Sequence, residues 1–363
     1  MRRRLKESWS VVLPLLALLA LGLTWGREIG SVAAVLVALL LAGAVLAAVQ
    51  HAELVAHRVG EPFGSLLLAI AVTVIEVALI VTLMTSGGQA TATLARDTVF
   101  AAAMITMTGI VGLSLLIGSA RYGVTLFNAE GSGAELATVA TLATLCLVLP
   151  TFTTSHPGPQ YTPSQLIFAA VASLGLYIAF VFTQTIRHRN FFLPVAQEGM
   201  VVNEEEHAPP PSTRSALSSL AMLIVALVAV VGLAKVESKP IENALSAVGF
   251  PHSFVGVVIA MLVLLPETLA AGRAAWRGRI QVSLNLAYGS AMASIGLTIP
   301  TLAVVSLWFD GSLILGLGGT QLVLLILTVV VNVLTVVPGR ATRLQGVIHL
   351  VLFAAYVFLG VNP

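Results

Sequence analysis

Apolar residues in this chain are gathered into eleven long runs, at about 11–25, 31–49, 63–85, 98–119, 136–154, 164–186, 216–236, 253–272, 283–307, 320–337 and 344–361. Each run is near the length, about 20 residues, that a helix needs to cross the roughly 30 Å hydrocarbon core of a bilayer. The separators are turn-rich or charged, and only 187–215, with Glu204, Glu205, Glu206 and Pro209–Pro211, is long and polar enough to divide the chain. The pattern predicts an all-α polytopic membrane protein with eleven transmembrane helices.

Counting Lys and Arg on alternate sides orients those helices. With the amino terminus cytoplasmic, that side holds Arg2, Arg3, Arg4, Lys6, Arg58, Arg121, Arg187, Arg189, Arg214, Arg273, Arg277, Arg279, Arg340 and Arg343, fourteen in all, against Arg27, Arg96, Lys235 and Lys239 on the other. The positive-inside rule therefore places the amino terminus in the cytoplasm and the carboxyl terminus outside. The basic start and first apolar run lack an A-x-A-like cleavage site, so they read as a first membrane helix and not as a removed signal.

Near the middle of the third run stands one carboxylate, Glu76, and Glu267 answers it in the eighth. A charge at the bilayer centre costs at least about 2.5–3.5 kcal/mol, which makes an intramembrane acid a functional-site hypothesis. Setting helix 1 aside leaves two blocks of five helices, opposite in orientation because five is odd, with each glutamate on the second helix of its block. That is the plan of inverted repeats, whose ion sites lie near the midplane. The domains predicted are 1–30 (tail and extra helix), 31–186 (first repeat), 187–215 (acidic cytoplasmic loop) and 216–363 (second repeat).

Composition agrees: 58% hydrophobic against 9% charged residues excludes an ordinary soluble domain, and a net charge of +2 gives no reason to invoke nucleic acid. The partners implied are the lipid bilayer, inorganic cations and protons; an oligomer is open but not indicated, and no cofactor is called for. The single cysteine, Cys146, reads as a small buried hydrophobe. His51, Glu53, His57, Arg58 and Glu61 read as the solvated face of a short connection.

A hard divalent cation takes about six to eight oxygen ligands. Two glutamates supply the charge, and the third helix of each block offers Thr106, Thr108, Asn285, Ser290 and Ser294 as further oxygens. Pro266, directly before Glu267, removes a backbone donor and frees a carbonyl nearby. The plainer account of such Ser, Thr and Gly residues is helix packing.

The stretches HAELVAHRVGEPFGSLLLAIAVTVIEVALI, LLPETLAA and NLAYGSAMASIGLTIP resemble the bacterial cation/proton exchanger family of the wider cation/calcium exchanger superfamily, over essentially the whole chain. The GEPFGS segment and its spacing to Glu76 are the specific part. The resemblance implies a repeat in each half whose glutamate, Glu76 or Glu267, binds the exported cation and protons in turn, with Ser290 in the family's Gly-Ser position and a bacterial inner membrane as location. Thr73 and Leu264 stand where many relatives have asparagine, and Ala103-Met104 where a Gly-Ser pair stands. Fewer side-chain oxygens there leave Ca2+, Na+ and K+ all open as the exported ion.

Two other classes are weaker. A channel commonly lines its path with rings of like residues from several subunits, whereas one chain here supplies both acids. An intramembrane protease needs an Asp pair or a Ser-His dyad, and His349, near the start of the last run, is the one histidine inside an apolar run.

Overall fold

The computed structural model describes residues 2–60, 63–87, 92–195, 211–251, 254–308 and 313–362; Glu61, Pro62 and the acidic Glu204–Glu206 stretch lie outside them. In order come α1 (Arg2–Thr24), α2 (Ser31–Val59), α3 (Phe63–Gly87), α4 (Leu94–Met104), a π turn (Ile105–Ile110) and α5 (Val111–Tyr122). After β1 (Thr125–Leu126) follow α6 (Ala129–Ala143), a second π segment (Thr144–Val148), α7 (Leu149–Phe152), α8 (Pro163–Phe182) with a π end (Thr183–Arg187), and a 3-10 turn (Arg189–Phe192). The rest is α9 (Thr213–Ala247), α10 (Phe254–Val263), α11 (Leu265–Trp276), α12 (Ile280–Val305), α13 (Gly319–Val336), β2 (Arg340–Ala341) and α14 (Arg343–Val361).

All eleven apolar runs lie on helices. Among the described residues eight helices are long and apolar enough to cross a membrane, or nine if α10 and α11 form one broken span; the apolar stretches Ser8–Thr24 and Ala69–Thr82 are shorter. The all-α expectation misses one detail, a two-residue antiparallel pairing of β1 with β2, too short to leave any period in the sequence.

Two helix ends are built alike. α2 stops at Gly60 and α9 just before Gly249, both with φ of 77°, a conformation glycine adopts without strain. Each glycine is followed two residues later by a proline, which cannot continue the helix. The pattern Glu-x5-Val-Gly-x-Pro thus occurs at Glu53–Pro62 and again at Glu242–Pro251, ahead of the helices that carry Glu76 and Glu267.

The chain packs as two compact units that do not follow its halves, 1–94 with 205–266 and 95–204 with 267–363. The first holds α1, α2, α3, α9 and α10. A bilayer gives apolar side chains no reason to leave it, so helices associate there by close fit. The facing surfaces of α2 and α9 are accordingly small, with Ala44, Ala48, Ala52, Ala226 and Ala229 fully buried, while Val32, Val35 and Leu39 point outward at 78%, 61% and 65% exposure. α1 packs across both, with Leu13 against Gly43 and Leu21 against Gly232. The His51–Arg58 stretch is the last part of α2 rather than a connection: His51 is buried, with Nε2 donating to the Ser10 carbonyl (2.9 Å), and Arg58 donates to Thr213 Oγ1 (3.0 Å).

The second unit holds α4–α8, α11–α14 and both strands. α12 packs on α5, α6 and α8, and α14 on α5. Arg96 pairs with Asp97 at 2.8 Å in the first turn of α4. Gly112 and Gly346 let α5 and α14 approach closely: a Cβ on Gly346 would lie 2.7 Å from the Leu116 backbone nitrogen and 3.1 Å from the Gly112 carbonyl oxygen. Gly346→Val should therefore destabilise the protein by about 1–3 kcal/mol, whereas Gly289→Ala, with nothing within 4 Å of the added carbon, should stay within about 0.5 kcal/mol of wild type. Thermal unfolding of both variants in detergent checks this.

Candidate cation site

In the first unit, α3 is a continuous helix of 25 residues, and Glu76 comes about 20 Å along it at about 1.5 Å per residue. Its neighbours Ile75, Val77, Leu79 and Ile80 are buried and Glu76 itself is 4% exposed. Thr73, also buried, precedes it by three residues and so shares its face.

Glu267 is placed differently. The helix breaks at Leu264, because Pro266 has no N–H to continue the ladder and its ring clashes with the preceding turn. A new helix, α11, starts at Leu265 with Pro266 near its N-terminus, where a missing N–H costs nothing. Glu267 therefore stands in a first turn, half-buried. The helix dipole favours negative charge there by about 0.3–1 kcal/mol.

The π turn carries Thr106 and Thr108, both fully buried. Thr106 Oγ1 donates to the Ala102 carbonyl (2.8 Å) and Thr108 Oγ1 to that of Met104. Each hydroxyl hydrogen is thus spent on its own helix while the oxygen lone pairs stay available as acceptors. Ser283 Oγ donates to the Ala271 carbonyl at 2.8 Å and is hydrogen-bonded to Ser114 Oγ at 2.6 Å, tying α12 to α11 and α5 at one level. Both neighbours run antiparallel to α12, since Gly118 meets Ile280 and α11 turns directly into α12 at Gly278. At about 1.5 Å per residue, Glu267 lies about 6 Å beyond that level, Thr108 about 9 Å, Ser290 about 10 Å, Thr106 about 12 Å and Ser294 about 16 Å.

Glu267, Thr108 and Ser290 therefore fall in one stratum of the second unit, and Ser294 lies beyond it. Asn285 is elsewhere, about 3 Å from the Ser283 level and roughly 140° round the helix from Ser290. Its amide donates to the Phe192 carbonyl (2.7 Å) and its oxygen accepts from Gln281 (2.8 Å). Among the described residues no three His, Cys, Asp or Glu side chains cluster as a metal site, so a cation there would rely on carboxylate and neutral oxygens.

Two buried acids escaped the sequence reading. Glu135 in the second unit is fully buried and Glu237 in the first is 2% exposed. Both were counted into connections because the apolar runs begin after one and end before the other. Asn128 was the available signal for Glu135: its side chain accepts from the Glu130 and Gly131 amides, a cap that starts α6 seven residues ahead of the apolar run. His349 is buried too, with Nδ1 bonded to the Met107 carbonyl (3.0 Å) and Nε2 to Thr335 (3.1 Å), while Cys146 is buried as expected.

Membrane-length helices with acids buried among them are those of a multi-pass membrane protein with a polar interior. The chain belongs to the sodium/calcium exchanger protein family, which it matches over residues 29–186 and 218–361. It is similar to the y4hA protein of Sinorhizobium fredii, which bears the name of an ionic transporter, at 42% identity over 362 residues (98% of this chain, 96% of that one). It is also similar to the sodium-potassium/proton antiporter ChaA of Escherichia coli, at 33% over 360 residues (98% and 96%). Among solved structures its fold is that of native YfkE (TM-score 0.71, 15% identity, 98% of this chain and 99% of that one) and of the H+/Ca2+ exchanger CAX (0.72, 17%, 99% and 89%). The resemblance drawn from GEPFGS and LLPETLAA thus holds, and the family is one of cation exchangers.

The stratum separates the two candidate serines. Ser290→Ala should raise the half-saturating cation concentration about fivefold, the equivalent of about 1 kcal/mol for one lost polar contact, and Ser294→Ala should leave it nearly unchanged. Cation-dependence curves of transport in vesicles decide; equal effects would remove the level assignment.

Proposed function

We propose that the chain is a secondary active antiporter that exports Ca2+, and Na+ or K+ as well, in exchange for protons, with cation and protons competing for Glu76 and Glu267. The observation that carries this is Glu76, a carboxylate 4% exposed near the middle of a continuous apolar helix, with a counterpart acid opening a half-helix in the other half of the chain. A buried acid on that scale needs a compensating proton or cation.

Three findings support two inverted five-helix repeats, α2–α8 and α9–α14, behind an extra α1. The Glu-x5-Val-Gly-x-Pro turn recurs ahead of each glutamate helix. The compact units also cut each block at a similar place, after the second span of the first block and inside the second span of the second, between Pro266 and Glu267, so that α10 falls with α3 while α11 goes with the last three spans. Finally, the family match falls in two stretches close to the two blocks. Eight long apolar helices, the broken pair and the two shorter apolar stretches make up the eleven spans. The fourteen-to-four bias of Lys and Arg puts the amino terminus in the cytoplasm, the carboxyl terminus outside and the 187–215 loop inside.

Two carboxylates hold one divalent ion or two protons with the same change of charge. Facing the cytoplasm they give up protons and take the cation; facing outside, protons displace it. The empty, doubly charged form is kept from crossing by the cost of burying bare carboxylates, which couples the fluxes, and the inward proton gradient drives export. A second reading, sodium or potassium exchange with little calcium, is favoured by Thr73 and Leu264, which offer one side-chain oxygen between them, and by the name of the Escherichia coli relative.

Everted vesicles with an imposed pH gradient test both. Calcium, sodium and potassium, added separately, should dissipate the gradient, and Glu76→Gln or Glu267→Gln should each abolish the response with the protein still in the membrane. Substantial exchange in either variant would overturn the assignment, and dissipation by sodium or potassium alone would select the second reading.

A further inference from the structure

The second unit encloses a third acid that exchange at Glu76 and Glu267 does not use. Glu135 lies in the second turn of α6, behind the Asn128 cap and the small residues Gly131, Ser132, Gly133 and Ala134. It is 0% exposed. Its Oε1 accepts from Gln184 Nε2 at 3.4 Å, a long bond, and its Oε2 has no hydrogen-bond partner in the protein.

The surroundings are polar but uncharged. One turn before it, Ser132 Oγ accepts from Gln281 Nε2 (3.2 Å), which also donates to Asn285 Oδ1 (2.8 Å). Asn285 in turn holds the Phe192 carbonyl, and the buried Phe192 ring packs edge-on against Phe180 at 5.7 Å, so the 3-10 turn is pinned over this end of the unit. The titratable or charged side chains on the elements packed against α6 are Tyr288 on α12, Cys146 in its own π segment, Tyr177 and Arg187 on α8 and its π end, and Arg189 on the 3-10 turn beside His188; α13 has none. Among the described residues no cation forms an ion pair with Glu135.

We propose that Glu135 is a proton-binding site in its own right, its carboxyl carrying the proton on Oε2. A bare carboxylate shut away from water, with one long amide contact and no cation, bears the full cost of desolvation, and a bound proton removes it. α12, which packs against α6, also carries a hydrogen-bond chain to the π turn. The Tyr288 hydroxyl donates to Asn332 Oδ1 (2.7 Å), and Asn332 Nδ2 donates to the Met107 carbonyl (3.2 Å), which lies in sequence between Thr106 and Thr108.

Infrared difference spectra of the full-length protein in lipid vesicles, on exchange from H2O to D2O, test this without any transport step and so independently of the antiport reading. The Glu76→Gln/Glu237→Gln/Glu267→Gln triple variant, which also removes the buried Glu237, should keep a protonated-carboxyl C=O band from a buried acid. Adding Glu135→Gln should abolish that band, and Gln184→Leu, which removes the donor to Oε1, should shift it. Absence of the band from the triple variant, its persistence on adding Glu135→Gln, or its loss on adding sodium or potassium at constant pH would overturn the proposal. Should Glu135→Gln fail to insert, Gln184→Leu decides alone, an unshifted band being the refuting result.

Discussion

Inside a bilayer there is no water to satisfy a backbone N–H or C=O, so a chain that crosses one is held to the helix. Two departures from regular α-helix in this chain fall at candidate site residues. The break at Leu264 puts Glu267 in a first turn, where the helix dipole favours an anion. The π turn at Ile105–Ile110 leaves the Met107 carbonyl open to two side-chain donors, Asn332 and His349. π turns inside α-helices often mark functional sites, and here the extra residue gives one carbonyl a role outside its own helix.

The same lack of water changes what holds the helices together. Apolar side chains are as well placed in lipid as against a neighbour, so contact has to come from fit and from hydrogen bonds. The first unit relies on fit, through Ala44, Ala48, Ala226, Ala229 and Gly232. The second relies more on polar ties: Ser283 with Ser114 and Ala271, Gln281 with Ser132 and Asn285, Tyr288 with Asn332, and Thr335 with His349. Polar ties between helices fix a unit's internal geometry, which suits the unit that holds most of the candidate oxygens.

The helices were legible because an apolar run of about 20 residues has one stable outcome in a membrane, and Glu76 and Glu267 were legible because a lone acid in such a run needs a reason. What escaped depends on pairings distant in sequence or on features without a compositional mark. Gln281 and Phe192 occupy Asn285, which no local reading of α12 reveals. The division into units cuts across both halves of the chain. Glu135 was hidden for a simpler reason, that hydropathy dates the helix from its apolar run while the Asn128 cap starts it earlier. The π turn has no signature at all in ITMTGI.

The pattern Glu-x5-Val-Gly-x-Pro precedes the helices of both Glu76 and Glu267, yet the settings of the two acids are unlike. Glu76 sits in a continuous helix whose amides are already bonded, 4% exposed among Ile75, Val77, Leu79 and Ile80. Glu267 has the N-terminus of a half-helix at its side and is half-buried. An exchanger working by competition benefits from that inequality. If both acids met the same environment, cation and protons would bind and leave both alike, and nothing would order the steps. With a helix N-terminus at one acid and a continuous helix around the other, the half-occupied states of the proposed exchange, between the cation-bound and doubly protonated forms, would be distinct species with an order of filling. Proline at 266 is what creates the difference, since it is the residue that interrupts a continuous helix and starts a new one at the acid.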